Sequence, residues 1–528
     1  MDAAAPPRPH DQQHASRWII LAFLGLAQLM VVLDATIVNI ALPSAQKSLG
    51  FSFVDRQWLI TAYSLAFGSI LFFGGRLSDV IGRKTTLQIG LLGFAVASAI
   101  GGASTSFDML VAARAIQGAF GAILAPAALA LLTTTFTNPD ERGKAFGIYG
   151  SIAGAGAAVG LLLGGVLTEY LDWRWTLYVN LFFAGIAIAG TQLLLARERG
   201  VASEGLDVPS TVLISGGLFG IVYGLSHAAN VAANAQVTGG SVTLASAFSN
   251  VTTIACIVAG VVLVALFVWR QVRATQPMLP LPVVADRARG GSFLAIFIAA
   301  SSMFAIFLFL TYYLQYGLGY SPLKTGLSFM PMVVALVVAS ATSQIVLLPR
   351  LGPRPLVPVG MLFGATGMFL FTHISVTGDY AAQVLPALLV AGVGMGVIFS
   401  TSMNTATARV RPEYAGATSA TVNVVQQVGG SLGTALLSTV SISAFLAYLT
   451  TSLRTVANAG KGASAHHLSA TALAQLTNAA QVHGYKVGFT WAMVMFAIGA
   501  VVTLIVLPSG KPQRSPVDHK RERELVAV

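Results

Sequence analysis

The chain has 528 residues, of which 55% are hydrophobic and 9% charged, with a net charge of +11. Soluble domains carry roughly 25% charged residues, so a soluble globular protein is excluded. Lys and Arg punctuate long apolar runs instead of clustering on one exposed face, which excludes a nucleic-acid binder. The lone Cys256 excludes an internal disulfide framework and reads as packing.

A helix needs about 20 apolar residues to cross a bilayer. Fourteen such runs are predicted, at 17–42, 57–77, 85–103, 108–135, 142–167, 175–196, 207–228, 251–270, 292–315, 324–348, 355–373, 383–408, 414–447 and 486–507. The first continues past the length of a signal-peptide apolar region and is read as a retained span. The run at 414–447 is too long for one straight crossing, so its end is expected to protrude or turn along the surface. Two polar stretches, His227 to Asn250 and Leu449 to Tyr485, are expected to be connectors on the outer side.

Positively charged loops stay in the cytoplasm. Placing both termini inside puts most of the 30 Lys and Arg residues on the cytoplasmic face, including the basic tail after Pro508. The expected organisation is an N-terminal tail (1–16), a six-helix bundle (17–200), two linker helices with a cytoplasmic loop (201–291), a second six-helix bundle (292–507) and a cytoplasmic basic tail (508–528). An internal echo supports it. Gly82-Arg83-Lys84-Thr85 and the apolar run after it recur as Gly352-Pro353-Arg354-Pro355 and its following run. Repeats of this kind suit carriers whose halves rock about a site near the midplane.

Charges inside apolar spans are costly and mark function by default. Asp34 lies in the first span and Arg114 in the fourth, within Arg114-Ala115-Ile116-Gln117-Gly118. Apolar surroundings disfavour the charged form of a carboxyl, which suits a group that takes up and releases a proton. A fixed Asp34–Arg114 ion pair is the purely structural alternative. The fifth span carries a dense glycine run that includes Gly147, Gly156, Gly160, Gly164 and Gly165. Small residues at this spacing let helices approach closely, whether for static packing or for sliding. The turn Gly75-Arg76-Leu77-Ser78-Asp79-Val80-Ile81-Gly82-Arg83-Lys84 packs an acid and two bases between glycines, more than charge retention alone requires.

These features together resemble the major facilitator superfamily, and within it the fourteen-span drug:proton antiporters of bacterial multidrug export, over nearly the whole chain. The resemblance implies an all-α membrane fold of two six-helix bundles with two additional central helices. Gly75 to Lys84 is similar to the superfamily motif between spans two and three, which implies a conformational latch of Gly75, Asp79, Gly82, Arg83 and Lys84; Val80 stands where that motif has a basic residue. Leu33-Asp34-Ala35-Thr36-Ile37-Val38-Asn39 resembles the first-span motif, implying that Asp34 titrates the coupled proton. Arg114, Gln117 and Gly118 match a fourth-span motif associated with proton transfer. The glycine run resembles the antiporter motif, with Leu161 in place of its proline. Trp173-Arg174-Trp175 with Asn180, and Asn423, Gln426, Gln427, Gly429, Gly430 and Gly433 in the thirteenth span, complete the likeness.

No phosphate-cradling G-x-x-x-x-G-K-[ST] loop is present in the sequence, so an ion gradient, with no cofactor and no metal, is the expected energy source. A substrate cavity is expected to draw on Gln28, Asn39, Tyr63, Gln117, Phe304, Phe307, Tyr312, Gln315, Asn404, Asn423 and Gln426. Aromatic faces favour lipophilic cations, and the tenth span has no acid for a second charge. Neutral or monocationic lipophilic substrates are therefore expected, exported by a monomer in the cell inner membrane whose partners are the bilayer, protons and substrate. A dedicated exporter of an endogenous metabolite, antibiotic or lipid, an importer, and a membrane enzyme or sensor remain alternatives. No cluster of His, Asp or Glu at one membrane face favours the enzyme.

Overall fold

The computed structural model describes residues 9–52, 55–136, 138–195, 207–237, 248–274, 277–279, 281–408, 410, 415–459 and 469–509. These residues form an all-helical protein with a helix at every predicted span. The helices are α1 (Pro9–Leu49), α2 (Trp58–Ile81), α3 (Arg83–Gly102), α4 (Phe107–Thr135), α5 (Pro139–Tyr170), α6 (Trp175–Leu194), α7 (Val208–Val237) and α8 (Val251–Arg273). They continue with α9 (Arg287–Gly317), α10 (Pro322–Leu351), α11 (Pro353–Phe371), α12 (Tyr380–Thr407), α13 (Ala415–Ala459) and α14 (Ala470–Val506). Thirteen are long and apolar enough to cross a membrane, and α5 adds the apolar stretch Gly156–Tyr170. The chain is thus a multi-pass membrane protein.

The two halves repeat one packing plan. In the first, α1 packs on α5 and α6, α2 on α4, and α3 on α4 and α6; in the second, α9 packs on α13 and α14, α10 on α12, and α11 on α12 and α14. Between the halves, α2 meets α13 and α5 meets α10, again equivalent pairs. The α7–α8 hairpin leans on α2 and α13. The weak sequence echo has a backbone counterpart. Gly82 and Gly352 each separate two helices in the left-handed region, at φ 93° and 76°, where a side chain is disfavoured. Both short connections therefore turn in the same way.

The two expected connectors are shorter than their polarity suggests. Helix α7 runs on to Val237, α13 to Ala459, and α14 starts at Ala470, where Ser469 caps it by accepting from Ala472 N at 3.2 Å. Both stretches are polar but rich in alanine, the best helix former, so they extend the spans as helix. The 45 residues of α13 form one continuous helix, which at 1.5 Å per residue overreaches a bilayer.

The helix ends fall into two groups: the Arg17 end, where α1 enters the bundle, and the Leu49 end, where α1, α5 and α9 finish. The halves are tied at the Leu49 end. Gln315 Nε2 donates to Ile40 O at 3.0 Å, Tyr316 Oη to Pro43 O at 3.2 Å, and Leu323 N to Glu169 Oε2 at 2.9 Å. A π-helical turn, Tyr313–Gly317, closes α9 and carries Gln315 and Tyr316 towards α1.

Candidate functional site: a buried carboxylate and its donors

Asp34 is completely buried halfway along α1. Its Oδ2 accepts from Arg114 Nη1 at 2.6 Å, and its Oδ1 from Gln117 Nε2 and Asn180 Nδ2, both at 2.8 Å. The spacing of Arg114 and Gln117 puts both on one face of α4, and Arg114 Nη1 also donates to Gln117 Oε1 at 2.6 Å. Ser98 of α3 ties the back of the site together: its hydroxyl accepts from Gln117 Nε2 and from Asn180 Nδ2. Arg114 Nε reaches the carbonyl of Leu59 in the first turn of α2 at 3.3 Å, and its guanidinium carbon lies 4.4 Å from the centroid of the Tyr63 ring. Four helices therefore meet on one ion pair, and a fifth, α3, holds two of the donors to Asp34.

The surroundings of Asp34 are polar, which corrects the expectation of an apolar niche. Its sequence neighbours Leu33 and Ala35 point elsewhere because successive side chains on a helix diverge by about 100°, and the carboxylate faces α3, α4 and α6. A buried pair is tolerable only when its remaining hydrogen-bonding capacity is met, and Gln117, Asn180 and Ser98 do this. Loss of the negative charge would leave Arg114 without its counter-ion, held by neutral acceptors alone.

The glycines of α5 set the position of α1. A Cβ at Gly156 would meet Leu29 and Val32, at Gly160 Thr36 and Leu33, and at Gly164 Ile37, all within about 3 Å of the nearest atom. These residues flank Asp34 on the α5 side of α1. Gly165 serves a different contact, with Pro322 and Leu323 of the other half, as does Gly326 against the Leu161 carbonyl. The backbone of Gly147 lies in α5, but its side-chain position is outside the described residues. Gly118 brings α4 against the Tyr63 carbonyl of α2, which places the Tyr63 ring beneath Arg114.

In the turn between α2 and α3, Lys84 is buried and its Nζ donates to Gln192 O at 3.1 Å and Leu195 O at 2.5 Å. It neutralises the carbonyl end of α6, where a cation is favoured. Gly82 supplies the left-handed turn. Gly75 has only ordinary contact with Pro126, and the tight approach to α4 falls on Gly74, against Ala122 O. Arg83 is half-buried and engaged, and the Asp79 side chain lies outside the described residues.

The expected cavity residues fall at several places along the helices. Gln117 and Tyr63 belong to the Asp34 site. Asn39, beyond it on α1, donates to Ala35 O at 3.0 Å, and Gln28, on the Arg17 side, accepts from Tyr149 Oη at 2.9 Å. Phe304 and Phe307 are packed within the second half, against Gly430 and Phe329, because residues three apart share a helix face and this one turns into its own bundle. Tyr312 and Gln315 lie at the Leu49 end. Asn404 donates to Gln344 Oε1 at 3.3 Å, Asn423 turns back to Ser419 O at 3.0 Å, and Gln426 is half-buried on α13. No group of three or more His, Cys, Asp or Glu able to hold a metal occurs among the described residues.

Sequence reasoning passed over Ser98, Tyr149, Arg56 and Tyr485. A serine within an apolar span carries no signal of its own, and Arg56 and Tyr485 sit at span ends, where polar residues are unremarkable.

Comparison with known proteins places the chain. Residues 24–434 match the family model described as Major Facilitator Superfamily. The chain is 45% identical over 495 residues, covering 93% of it and 92% of the relative, to a puromycin resistance protein of Streptomyces alboniger. It is 34% identical to a cephamycin export protein of Amycolatopsis lactamdurans, over 79% of this chain and 83% of that one. A further relative, the tetracenomycin C resistance and export protein of Streptomyces glaucescens, is 33% identical over 80% and 75% of the two chains. The fold is similar to the crystal structure of a bacterial homolog to the human lysosomal transporter Spinster, inward-facing and unoccupied. The TM-score is 0.62 with 15% identity, over 95% and 98% of the chains. The packing plan, the repeated halves and these matches agree: the chain belongs to the Major Facilitator Superfamily.

Proposed function

We propose that this protein exports lipophilic neutral or monocationic compounds in exchange for protons, as a member of the fourteen-span drug:proton antiporters. The observation that carries the reading is the Asp34–Arg114 pair: an ionisable couple buried across the helices of one half, with hydrogen bonds to α2, α4 and α6. The export direction is supported by the relatives named for antibiotic resistance and export.

In this reading the Arg17 end faces the cytoplasm, as the basic-residue distribution requires, and the structure is the carrier closed at its outer, Leu49 end. The charged pair, in which Asp34 holds Arg114 and through it Leu59 of α2, is the state that loads substrate from the cytoplasm before the carrier opens outward. Protonation from the exterior resets the carrier inward, and release of the proton to the cytoplasm accompanies substrate loading. Each charge moved through the membrane potential is worth about 2.3 kcal/mol per 100 mV, so the electrical cost falls on whichever state of the site is charged. Lys84 joins the start of α3 to the end of α6 during this exchange, and Asp79 and Arg83 keep the latch role that the family resemblance implies.

The test is proton-gradient-driven efflux of a lipophilic monocationic dye from inverted membrane vesicles. Native protein moves dye and dissipates the gradient; Asp34→Asn does neither. Undiminished coupled transport by the Asn variant overturns the assignment. A narrower reading, a carrier for one antibiotic, is favoured by the puromycin resistance relative at 45% identity. A panel of dyes and antibiotics in the same vesicles distinguishes it, since a dedicated exporter moves a single chemical class.

A further inference from the structure

Among the described residues Arg56 is the other deeply buried arginine, 2% exposed, and it lies where the two halves meet. It belongs to the 3-10 turn Asp55–Gln57 that leads into α2. Its guanidinium carbon is 4.1 Å from the centroid of Tyr312 on α9 and 5.7 Å from that of Tyr485 on α14, and Nη1 donates to Tyr485 Oη at 3.4 Å. Both rings are braced from behind. Tyr316 stacks on Tyr312 at 5.7 Å, and Phe309 stacks on Tyr485 at 5.6 Å. Phe489 meets Phe309 edge-on at 5.7 Å and stacks on Phe371 at 4.8 Å. The aromatic walls thus come wholly from the second half and are fixed by their own bundle, while the cation between them comes from the first half.

Such a contact cannot survive separation of the halves at this end. When the bonds from Gln315 to Ile40 and from Tyr316 to Pro43 part, Arg56 withdraws with α2 and the braced rings are left facing the space between the halves. Aromatic faces attract guanidinium and alkylammonium groups alike, most strongly where water is excluded. A surface shaped around one organic cation is then open to another.

We infer that Tyr312 and Tyr485 form a binding site for a monovalent organic cation, filled by Arg56 while the Leu49 end is closed and by the substrate when it is open. Arg56 is a built-in competitor: as the end closes it re-enters the cage and displaces the bound cation. For its place in transport the inference rests on the export reading; the binding itself does not depend on it.

The experiment measures equilibrium binding of tetraphenylphosphonium, a permanent monocation, to the purified full-length chain in lipid nanodiscs, with neutral chloramphenicol as reference. Arg56→Ala removes the competitor, and tetraphenylphosphonium is expected to bind about tenfold more tightly while chloramphenicol binding is unchanged. Adding Tyr312→Leu and Tyr485→Leu abolishes the gain, whereas adding Tyr312→Phe and Tyr485→Phe keeps it. The leucine variant also lacks the Arg56 charge, so the comparison separates the rings from simple relief of repulsion. If Arg56→Ala fails to fold, Tyr312→Leu with Tyr485→Leu in the presence of Arg56 weakens tetraphenylphosphonium binding selectively. Unchanged cation affinity in Arg56→Ala, or a gain that survives the leucines, overturns the inference. In the fallback variant, equal cation affinity to the native chain does so. Loss of proton-driven efflux in vesicles bears on the export reading alone and leaves these affinities as they are.

Discussion

Gly160 of α5 and Thr36 of α1 are so close that a methyl group on the glycine would collide with the threonine Oγ1. That oxygen donates back to Leu33 O at 3.0 Å, so it has little freedom to retreat, and the contact falls half a turn from Asp34. Gly160→Val is therefore expected to push α1 away from α5, lower thermal stability by about 1–3 kcal/mol as overpacking does, and abolish transport. Gly185, with open space around its Cα, is the control: Gly185→Ala leaves both unchanged. Thermal unfolding in detergent and vesicle efflux check the pair.

Removing one partner of the buried ion pair leaves the other charged and uncompensated. Arg114→Met is expected to destabilise the protein by about 3–5 kcal/mol. Combining it with Asp34→Asn restores most of that stability, because no buried charge is left, but restores no proton-coupled transport. A double-mutant cycle on thermal or denaturant unfolding gives the coupling, and a double variant as unstable as Arg114→Met contradicts the account.

The α7–α8 hairpin has its own titrating contact. Asp207 Oδ1 accepts from Arg270 Nε at 3.3 Å and Nη2 at 3.0 Å, and from Ser210 N at 3.2 Å. Partial burial pushes its carboxyl up, but the Ser210 hydrogen bonds and the Arg270 guanidinium outweigh this and hold it below the ordinary 3.8. A carboxyl lowered in the folded state contributes stability above its unfolded value and loses it as pH falls through the folded value. Hydrogen exchange at the start of α7 is thus expected to speed up, relative to its intrinsic rate, as the medium passes into that acid range. In Asp207→Asn this acid-dependent change is absent.

Much of this architecture is legible from the chain because bilayer thickness and apolar run length constrain each other so strongly. All fourteen spans are helices, and the faint Gly82/Gly352 echo marks a backbone turn that only a positive φ allows. Asp34, Arg114 and Gln117 were recognisable because charge and amide groups are conspicuous in apolar helices. Ser98 was not, since a hydroxyl in a membrane helix usually bonds to its own backbone and only three-dimensional packing brings it under Gln117 and Asn180. The spread of the expected cavity residues along the helices has a related reason. Sequence gives the helix face of Phe304 and Phe307 but not whether that face turns towards the partner half or into its own bundle. Arg56 carries no signal in the sequence, because the tyrosines that hold it are more than 250 residues away.

The central claim is that Asp34 exchanges its proton as substrate is loaded. The direct measurement is proton release by purified protein in weakly buffered solution upon addition of a saturating lipophilic monocation, repeated across a range of starting pH. The native carrier is expected to release a proton for each substrate bound, and Asp34→Asn, still folded and still binding, to release none. Binding without proton release in the native protein, or equal release from the Asn variant, would contradict it.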